Sequence, residues 1–334
     1  MVYTVWSAFN RFRTDTVDLA PDVTDRARTS RNYLFDQVKR LANNNADFPR
    51  LKGGYLSFGS FARKTKIQPL DDVDVLILLN GENTEVQSLY NEPYTYYLKA
   101  KNSFAPLYLF TDNYNYVNST KILNKIKFHL SSISNYKKAE IKKTMQAVTL
   151  NLSSYDWVFD IVPAVPAYNY SGSIAYYLIP DGKGKWIKTD PRVDSTNVTK
   201  INSRHNGKFL PTLRLLKYWN RRTHKPRLQS YYFETLAIKV FQNTYTSIDS
   251  FPRGIKYFFD NCPFYINQMC ADPKGLGGAL DLYVSQDIKD KVIAAMSDAS
   301  TSAGYALMYE ADSNSDKAIY WWGRVFGSEF PSYG

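Results

Sequence analysis

The sequence predicts an α+β protein in which a mixed sheet with flanking helices is followed by a helical lobe. Before residue 205, short apolar runs such as DVLILL and WVFDIVPAV have the length and composition of buried strands. From Phe209 onward, FLPTLRLLKYWNRR and SYYFETLAIKVFQ have apolar residues at the spacing of amphipathic helices. We therefore expect two domains, residues 1–205 and residues 206–334.

The elements of the first domain follow in order along the chain. Residues 21–45 have helical periodicity, with a proline near the start and asparagines at the end. DDVDVLILLN predicts a buried strand, whereas the polar, tyrosine-rich residues 81–118 predict a helical or loop insertion. TKILNKIKFHLSSI predicts a helix, and the helical spacing of lysines in YKKAEIKK, residues 136–143, favours a solvated helix face over a nucleic-acid patch.

Two hairpins complete this domain. In QAVTLNLSSYDWVFDIVPAV, two apolar runs flank a Ser-Ser-Tyr-Asp turn, and YLIPDGKGKWIKTDP has the same organisation around its glycines. Beyond them, the helical pattern is interrupted by CPFYINQMCADPKGLGG, whose glycine-rich part predicts a structural loop.

Composition limits the classes of function. The 334 residues have a formal net charge of +11, which favours anionic ligands. Cys262 and Cys270 lack zinc-site spacing and predict buried thiols. His129, His205 and His224 share no cluster with cysteine or carboxylate residues, so no metal or catalytic histidine is predicted. Without a membrane-length apolar run or a signal-peptide core, we expect a cytoplasmic protein that needs no membrane. The net charge would fit nucleic acid, but the basic residues are scattered, so we do not expect nucleic acid to be required.

The segment GSFARKTKIQPLDDVDV contains the first candidate site residues. Because side chains alternate along a strand, Asp72 and Asp74 project to one face, and Val73 and Val75 to the other. Asp71 has the wrong parity for the pair and is interpreted as a cap of the turn. Two neighbouring carboxylates repel unless a cation compensates them, and oxygen ligands favour Mg²⁺ or Mn²⁺. A solvated strand end is the alternative interpretation of this pair.

Two further features favour the metal site. Gly59 and Ser60 precede the pair, and a Gly-Ser turn at a helix start offers N–H groups and a hydroxyl to a phosphate. Asp160 interrupts the apolar run WVFDIVPAV, where an ionised carboxylate is costly without compensation. If its strand neighbours that of Asp72, the three carboxylates form one site. The nearby Asp156 falls in the predicted turn and is interpreted as structural.

These motifs resemble those of the DNA polymerase β-like nucleotidyltransferases. GSFARKTKIQPLDDVDVLILL, FDIVPAV, LRLLKYWNRR and SYYFETLA resemble more narrowly those of the CD-NTases. This family of cyclic-oligonucleotide synthases is related to cyclic GMP-AMP synthase and oligoadenylate synthase and serves bacterial anti-phage (CBASS) signalling. The resemblance covers roughly residues 20–334. Lys64 departs from it, since many relatives have glycine there.

The resemblance implies a mechanism and a fold. Asp72, Asp74 and Asp160 would hold two Mg²⁺ ions, for which Mn²⁺ can substitute, with Asp160 nearest the acceptor 3′-hydroxyl. Gly59 and Ser60 would hold the phosphates of the donor nucleotide. The active site would lie in the cleft between a polymerase β-like core and the C-terminal lobe. The product would be a cyclic di- or trinucleotide made from nucleoside triphosphates, ATP among them.

The same resemblance assigns three residues of the helical lobe. Lys217 would reach the triphosphate, Ser230 would contact a phosphate, and Tyr231 would stack on the donor base. By residue type alone, a lysine such as Lys217 is more often a solvated helix residue, and a tyrosine such as Tyr231 is more often a core residue. Three residues that follow the Gly-Ser turn are further candidates for contact with phosphate or the acceptor nucleotide. They are Arg63, Thr65 and Lys66.

Two other functions stay open at this point. The enzyme could transfer a nucleotide to RNA, a protein or a small molecule, or the chain could be a silent sensor that binds nucleic acid. In some bacterial relatives a terminal glycine is joined to targets by ubiquitin-like conjugation machinery. Gly334 permits that hypothesis, and an ordinary terminus is the alternative.

Overall fold

The structure is a computed structural model that describes residues 1–222, 225–244 and 246–334. The chain divides into two compact units. The helical unit consists of Met1–Ala20, Arg63–Pro69 and Arg192–Gly334. The sheet unit consists of Pro21–Ala62 and Leu70–Pro191. This division differs from the single boundary expected after residue 205, because residues 1–20, 63–69 and 192–205 also group with the later helices. His224 lies outside the described residues.

The strands of the sheet unit form one mixed sheet. They are β1 (Leu51–Ser57), β2 (Asp72–Leu79), β3 (Thr84–Ser88), β4 (Thr95–Ala100), β5 (Glu140–Lys143), β6 (Val148–Asn151), β7 (Val158–Tyr168), β8 (Ile174–Pro180) and β9 (Trp186–Thr189). Their order is β1-β2-β7-β8-β9-β4-β3, and β6 joins both β7 and β5. Strands β2 and β7 are parallel, whereas the other pairs are antiparallel.

Three helices belong to the sheet unit. They are α2 (Pro21–Asn44), α3 (Gly59–Ala62) and α4 (Ser119–Ser131). The buried residues of α2 include Ala27, Leu34 and Val38, and this face packs against β1 and β2. Helix α4 begins after Asn118, whose side chain accepts hydrogen bonds from two backbone amides of the first turn. Helix α2 thus covers β2, which carries two of the candidate carboxylates, and α4 packs against β5, β6 and β8.

The helical unit is built around an aromatic core. Its helices are α1 (Val5–Phe12), α5 (Pro191–Arg204), α6 (Phe209–Arg222), α7 (Ser230–Gln242), α8 (Phe251–Ile266), α9 (Gln286–Ala311) and α10 (Ser315–Phe326). Phe9 and Phe12 of α1 are almost wholly buried against Phe326 and Phe330. Burial of two phenylalanines stabilises this packing by several kcal/mol, on the order of 2 for each side chain. The N-terminal helix is therefore an integral part of the helical unit.

The α+β class, the helix from residue 21, the buried strand at Asp72 and both hairpins are confirmed. The prediction of a helical or loop insertion at residues 81–118 was wrong, because these residues contain the paired strands β3 and β4. The prediction of a helix at residues 136–143 was also wrong, since Glu140–Lys143 forms strand β5 beside β6. Lysines on a short edge strand are a common protection against further strand pairing.

Among the described residues, no helix is long and apolar enough to cross a membrane.

Candidate active site

Three aspartates lie on one face of two adjacent strands in the sheet unit. In the parallel pair of β2 and β7, Asp74 is the register partner of Asp160. Asp72 precedes Asp74 by two residues, so its side chain leaves β2 on the same face. The alternating residues Val73 and Val75 are buried on the other face. Strand β7 is thus the parallel neighbour of β2, which is the condition that the sequence set for one shared site.

A hydrogen bond orients the carboxylate of Asp160. Thr149 of β6 lies opposite Asp160, and its hydroxyl donates to Oδ1 of Asp160 at 2.7 Å. The flanking Phe159 and Ile161 are buried, so Asp160 interrupts an apolar strand as the sequence indicated. Thr149 therefore compensates part of the cost of placing a carboxylate among apolar residues.

Gly59 lies directly against the carboxylate of Asp74. It begins α3 after β1 and has a φ of +73°. A Cβ atom at position 59 would lie 1.7 Å from Oδ2 of Asp74 and 2.5 Å from its Cγ. Both the left-handed backbone and the missing side chain are therefore required here. The structure brings Gly59 against the carboxylate of Asp74, and Ser60 is the next residue of the same turn.

The donor set fits a hard divalent cation, because three carboxylates on neighbouring strands supply only oxygen ligands. In the described part of the chain, however, no three or more His, Cys, Asp or Glu side chains form a group that could hold a metal ion. The assignment of Asp72, Asp74 and Asp160 as metal ligands thus depends on strand register and ligand chemistry, and it stays a prediction.

Lys217 is buried in the helical unit beside a carboxylate. Its side chain on α6 is 7% exposed, and Nζ lies 3.3 Å from Oε2 of Glu234 on α7. Burial lowers the pKa of Lys217 against the attraction of Glu234, and the positive charges of Arg63 and Lys66 lower it further. Lys217 is therefore not the solvated helix lysine that its residue type alone would suggest.

Two of the weaker candidates contact the same carboxylate. Nε of Arg63 donates to Oε1 of Glu234 at 2.7 Å, and the hydroxyl of Thr65 donates to Oε2 at 2.8 Å. Burial opposes ionisation of Glu234, but Arg63 and Lys217 outweigh it and hold the pKa of Glu234 below its usual value. Arg63, Thr65, Lys217 and Glu234 thus form one buried polar cluster.

Tyr231 is fixed by polar contacts at its hydroxyl. The hydroxyl donates to Oδ1 of Asp194 at 2.7 Å, and the ammonium of Lys274 hydrogen-bonds the hydroxyl and lies 4.3 Å from the ring centroid. Burial and Asp194 raise the pKa of Tyr231. The half-buried ring is held in one orientation, and the preceding Ser230 is exposed at the start of α7.

Sequence reasoning missed three of these groups, namely Glu234, Asp194 and Lys274. A signal for Glu234 was present, because a carboxylate on the apolar face of SYYFETLA requires a partner when buried. Lys274 belongs to the glycine-rich segment interpreted as a structural loop, and its contact with Tyr231 depends on tertiary structure alone. His129 contacts Asp47, and His205 contacts backbone groups of Phe241 and Ile248.

A mixed sheet that carries three carboxylates on neighbouring strands beside a Gly-Ser turn is the arrangement expected of a polymerase β-like nucleotidyltransferase. No family model matches the chain. The chain is 36% identical over 340 residues to a probable cyclic nucleotide synthase of Bacillus cereus strain VD146, with 100% of this chain and 99% of the relative covered. It therefore belongs to the cGAS/DncV-like nucleotidyltransferase (CD-NTase) family, the cyclic-oligonucleotide synthases.

A more distant relative has a related name, and solved structures share the fold. A cyclic AMP-AMP-AMP synthase of Escherichia coli MS 115-1 is 21% identical over 352 residues, with 96% of each chain covered. The structure of CdnC from the same strain with ATP has a TM-score of 0.71 at 18% identity, covering 97% of this chain and 98% of CdnC. The structure of Vibrio cholerae DncV with a linear pppA(3′,5′)pG intermediate has a TM-score of 0.68 at 10% identity, covering 100% of this chain and 98% of DncV. The predicted fold and enzyme class are confirmed.

Proposed function

We propose that this enzyme condenses nucleoside triphosphates into a cyclic di- or trinucleotide second messenger, with release of pyrophosphate, in anti-phage signalling. One observation supports the proposal above the rest: the parallel register that pairs Asp74 with Asp160 beside Gly59. Family membership supplies the reaction class, and this register supplies the residues that would perform it in the present chain.

Each condensation step exchanges one phosphorus–oxygen bond for another. The acceptor hydroxyl attacks the α-phosphorus of the donor, a new ester bond forms, and the bond to the oxygen between the α- and β-phosphates breaks. Asp160 receives the hydroxyl proton, while Thr149 fixes the orientation of its carboxylate. Attack by the last free hydroxyl on the remaining 5′-triphosphate closes the ring and releases the final pyrophosphate.

Asp72, Asp74 and Asp160 would hold two Mg²⁺ ions, or Mn²⁺ in their place. Bound there, the ions would lower the pKa of the acceptor hydroxyl and neutralise charge that develops on the leaving pyrophosphate. The close approach of Gly59 to Asp74 fixes one ligand of this set. The protein contributes the ligand geometry, and strand register sets it.

Five residues would bind the donor nucleotide. Gly59, Ser60 and Ser230 would contact its phosphates, Lys217 would reach the triphosphate, and Tyr231 would stack on its base. Stacking on a fixed aromatic ring contributes about 1–3 kcal/mol per base without selecting the base. Two relatives are named cyclic AMP-AMP-AMP synthases, which supports ATP among the substrates.

Protein partners and cellular context follow from the family. One CdnC structure with a TM-score of 0.69 is a complex with a HORMA protein, which supports a protein partner for this enzyme. A cytoplasmic location is part of the same proposal. Conjugation at Gly334 by ubiquitin-like machinery is a further part of the proposal. The amide and carbonyl of Gly334 pair with those of Val2, so the glycine must leave this pairing to be conjugated.

The test is to identify the product. The purified protein is incubated with Mg²⁺ and all four nucleoside triphosphates, one of which in turn is α-labelled, and products are analysed by nuclease digestion and mass spectrometry. We expect a small, phosphatase-resistant oligonucleotide that forms only with a divalent ion. Label on a macromolecule without such a product would contradict the proposal.

A further inference from the structure

One buried carboxylate in the helical unit, that of Glu234, accepts hydrogen bonds from three side chains. Glu234 is 2% exposed, and its Oε1 accepts from Arg63 while its Oε2 accepts from Thr65 and Lys217. Its neighbours on α7 include the buried Phe233. An ionised carboxylate in such surroundings costs several kcal/mol unless charged and polar partners compensate it.

Two of these donors belong to the segment that follows the Gly-Ser turn. Arg63 and Thr65 come three and five residues after Ser60 in the chain, and the segment leads into β2 with its aspartates. Glu234 therefore connects the beginning of this segment to α7, and the same carboxylate binds the side chain of Lys217, a residue of α6. Glu234 thus binds both Arg63, which is close in sequence to the Gly-Ser turn, and Lys217, the lysine assigned to the triphosphate.

Other contacts fasten the rest of the segment. The guanidinium of Arg214 donates to the carbonyl of Lys64 at 2.9 Å and to Oδ1 of Asp18 at 2.7 Å. The amide of Gln68 donates to the carbonyl of Val17 at 2.9 Å. Because Arg214 and Gln68 hold the backbone, the particular contribution of Glu234 is to the side chains of Arg63, Thr65 and Lys217.

A buried ion pair contributes little to stability compared with apolar residues of similar volume, so stability alone does not explain this cluster. We propose that Glu234 is a positioning residue: with Arg63 and Thr65 bound to the same carboxylate, it holds the ammonium of Lys217 where Lys217 meets the substrate triphosphate. The inference depends on the proposed function, because that function makes Lys217 a triphosphate contact.

Replacement by the amide isolates this role. A glutamine at position 234 has the same shape but offers one acceptor oxygen and one NH₂ group to three donors. At least one donor then faces another donor, and two buried cations lose the compensating charge. Both cationic side chains should leave their present orientations. The guanidinium of Arg63 lies 5.9 Å from the ring centroid of Tyr231, but Asp194 and Lys274 hold the hydroxyl of Tyr231, so its ring should keep its orientation.

The test compares ligands with and without the triphosphate. Equilibrium binding is measured in the full chain for AMP and for an ATP analogue with a methylene group between the α- and β-phosphates, which cannot release pyrophosphate. For Glu234→Gln we expect about tenfold weaker binding of the analogue, the usual effect of one charged hydrogen bond, and unchanged binding of AMP. Equal weakening for both ligands, or none, would overturn the inference.

The matched control is Asp281→Asn. Asp281 is also a buried carboxylate of the helical unit, where it accepts from the amide of Cys270 at 2.8 Å and from Lys289 at 2.7 Å. The control removes the same charge and a comparable ion pair, so it should leave both affinities unchanged. A loss of analogue binding equal to that of Glu234→Gln would mean that any lost buried carboxylate has this effect, which contradicts the inference.

Two more variants separate the possible failures. If Lys217→Met leaves analogue binding unchanged, the assignment of Lys217 in the proposed function is wrong. If Lys217→Met weakens binding and Glu234→Gln does not, only the role of Glu234 is wrong. Should Glu234→Gln not fold, Thr65→Val removes one donor and keeps the carboxylate. We then expect about threefold weaker analogue binding, and an unchanged affinity would overturn the inference.

Discussion

The carboxylate of Asp74 occupies the space where any other residue at position 59 would have its Cβ atom. Oδ2 of Asp74 would lie 1.7 Å from that atom, a distance that no pair of unbonded atoms tolerates. The φ of +73° at Gly59 adds a second requirement for glycine. The turn at Gly59 and the carboxylate of Asp74 therefore pack directly against each other, and a side chain added at position 59 must displace the carboxylate.

The first prediction concerns Gly59→Ala. The new methyl group must displace Asp74, so turnover should fall by at least about 100-fold, as for a misplaced catalytic group. The left-handed backbone also costs an alanine about 1–2 kcal/mol of folding free energy. Turnover and urea unfolding, measured on the same preparation, give the two quantities separately.

Gly53→Ala is the matched control for that variant. Gly53 has a φ of +87°, but a Cβ atom there would meet nothing within 4 Å. We expect a similar loss of stability with near-normal turnover. If Gly59→Ala and Gly53→Ala had the same turnover, the contact with Asp74 would have no catalytic importance.

The second prediction concerns the ring and the hydroxyl of Tyr231. Tyr231→Leu removes the stacking surface and should raise the KM for the donor nucleotide by about tenfold. Tyr231→Phe retains the ring but removes the hydrogen bond to Asp194, so it should cost about 1 kcal/mol of stability with a smaller change in KM. A KM for Tyr231→Leu equal to that of the native enzyme would exclude base stacking at this residue.

The candidate carboxylates could be proposed from strand chemistry in the sequence, whereas the buried polar cluster around Glu234 depends on tertiary contacts. Asp160 was identifiable because an acid in an apolar strand needs compensation, and alternation put Asp72 and Asp74 on one face. The role of Glu234 depends on donors from α6 and from residues 63–69, which no local pattern brings together. Strands β3 and β4 lack clear alternation, so their polar sequence was interpreted as an insertion.

The third prediction concerns pH and His205. Its Nε2–H donates to the carbonyl of Phe241 at 3.0 Å, and its Nδ1 accepts from the amide of Ile248 at 3.1 Å, so the native ring is neutral. Burial lowers the pKa of His205 below its ordinary value of 6.5. The unfolded chain therefore binds a proton first as the pH falls.

The contribution of His205 to stability is consequently complete above pH 6.5 and is lost as the pH falls below it, with a slope of up to about 1.4 kcal/mol per pH unit. Urea unfolding from pH 8 to pH 5 measures this slope. His205→Asn should be less stable at every pH but should have a shallower slope. Equal slopes in the two proteins would show that His205 does not titrate in this way.

The most direct test of the proposed active site compares two aspartates four residues apart. Asp160→Asn removes the β7 carboxylate that pairs in register with Asp74, whereas Asp156→Asn removes an exposed carboxylate of the preceding turn. Cyclic product is measured with Mg²⁺ and labelled nucleoside triphosphates. Product should be absent with Asp160→Asn and normal with Asp156→Asn, and near-normal turnover by Asp160→Asn would contradict the three-carboxylate site.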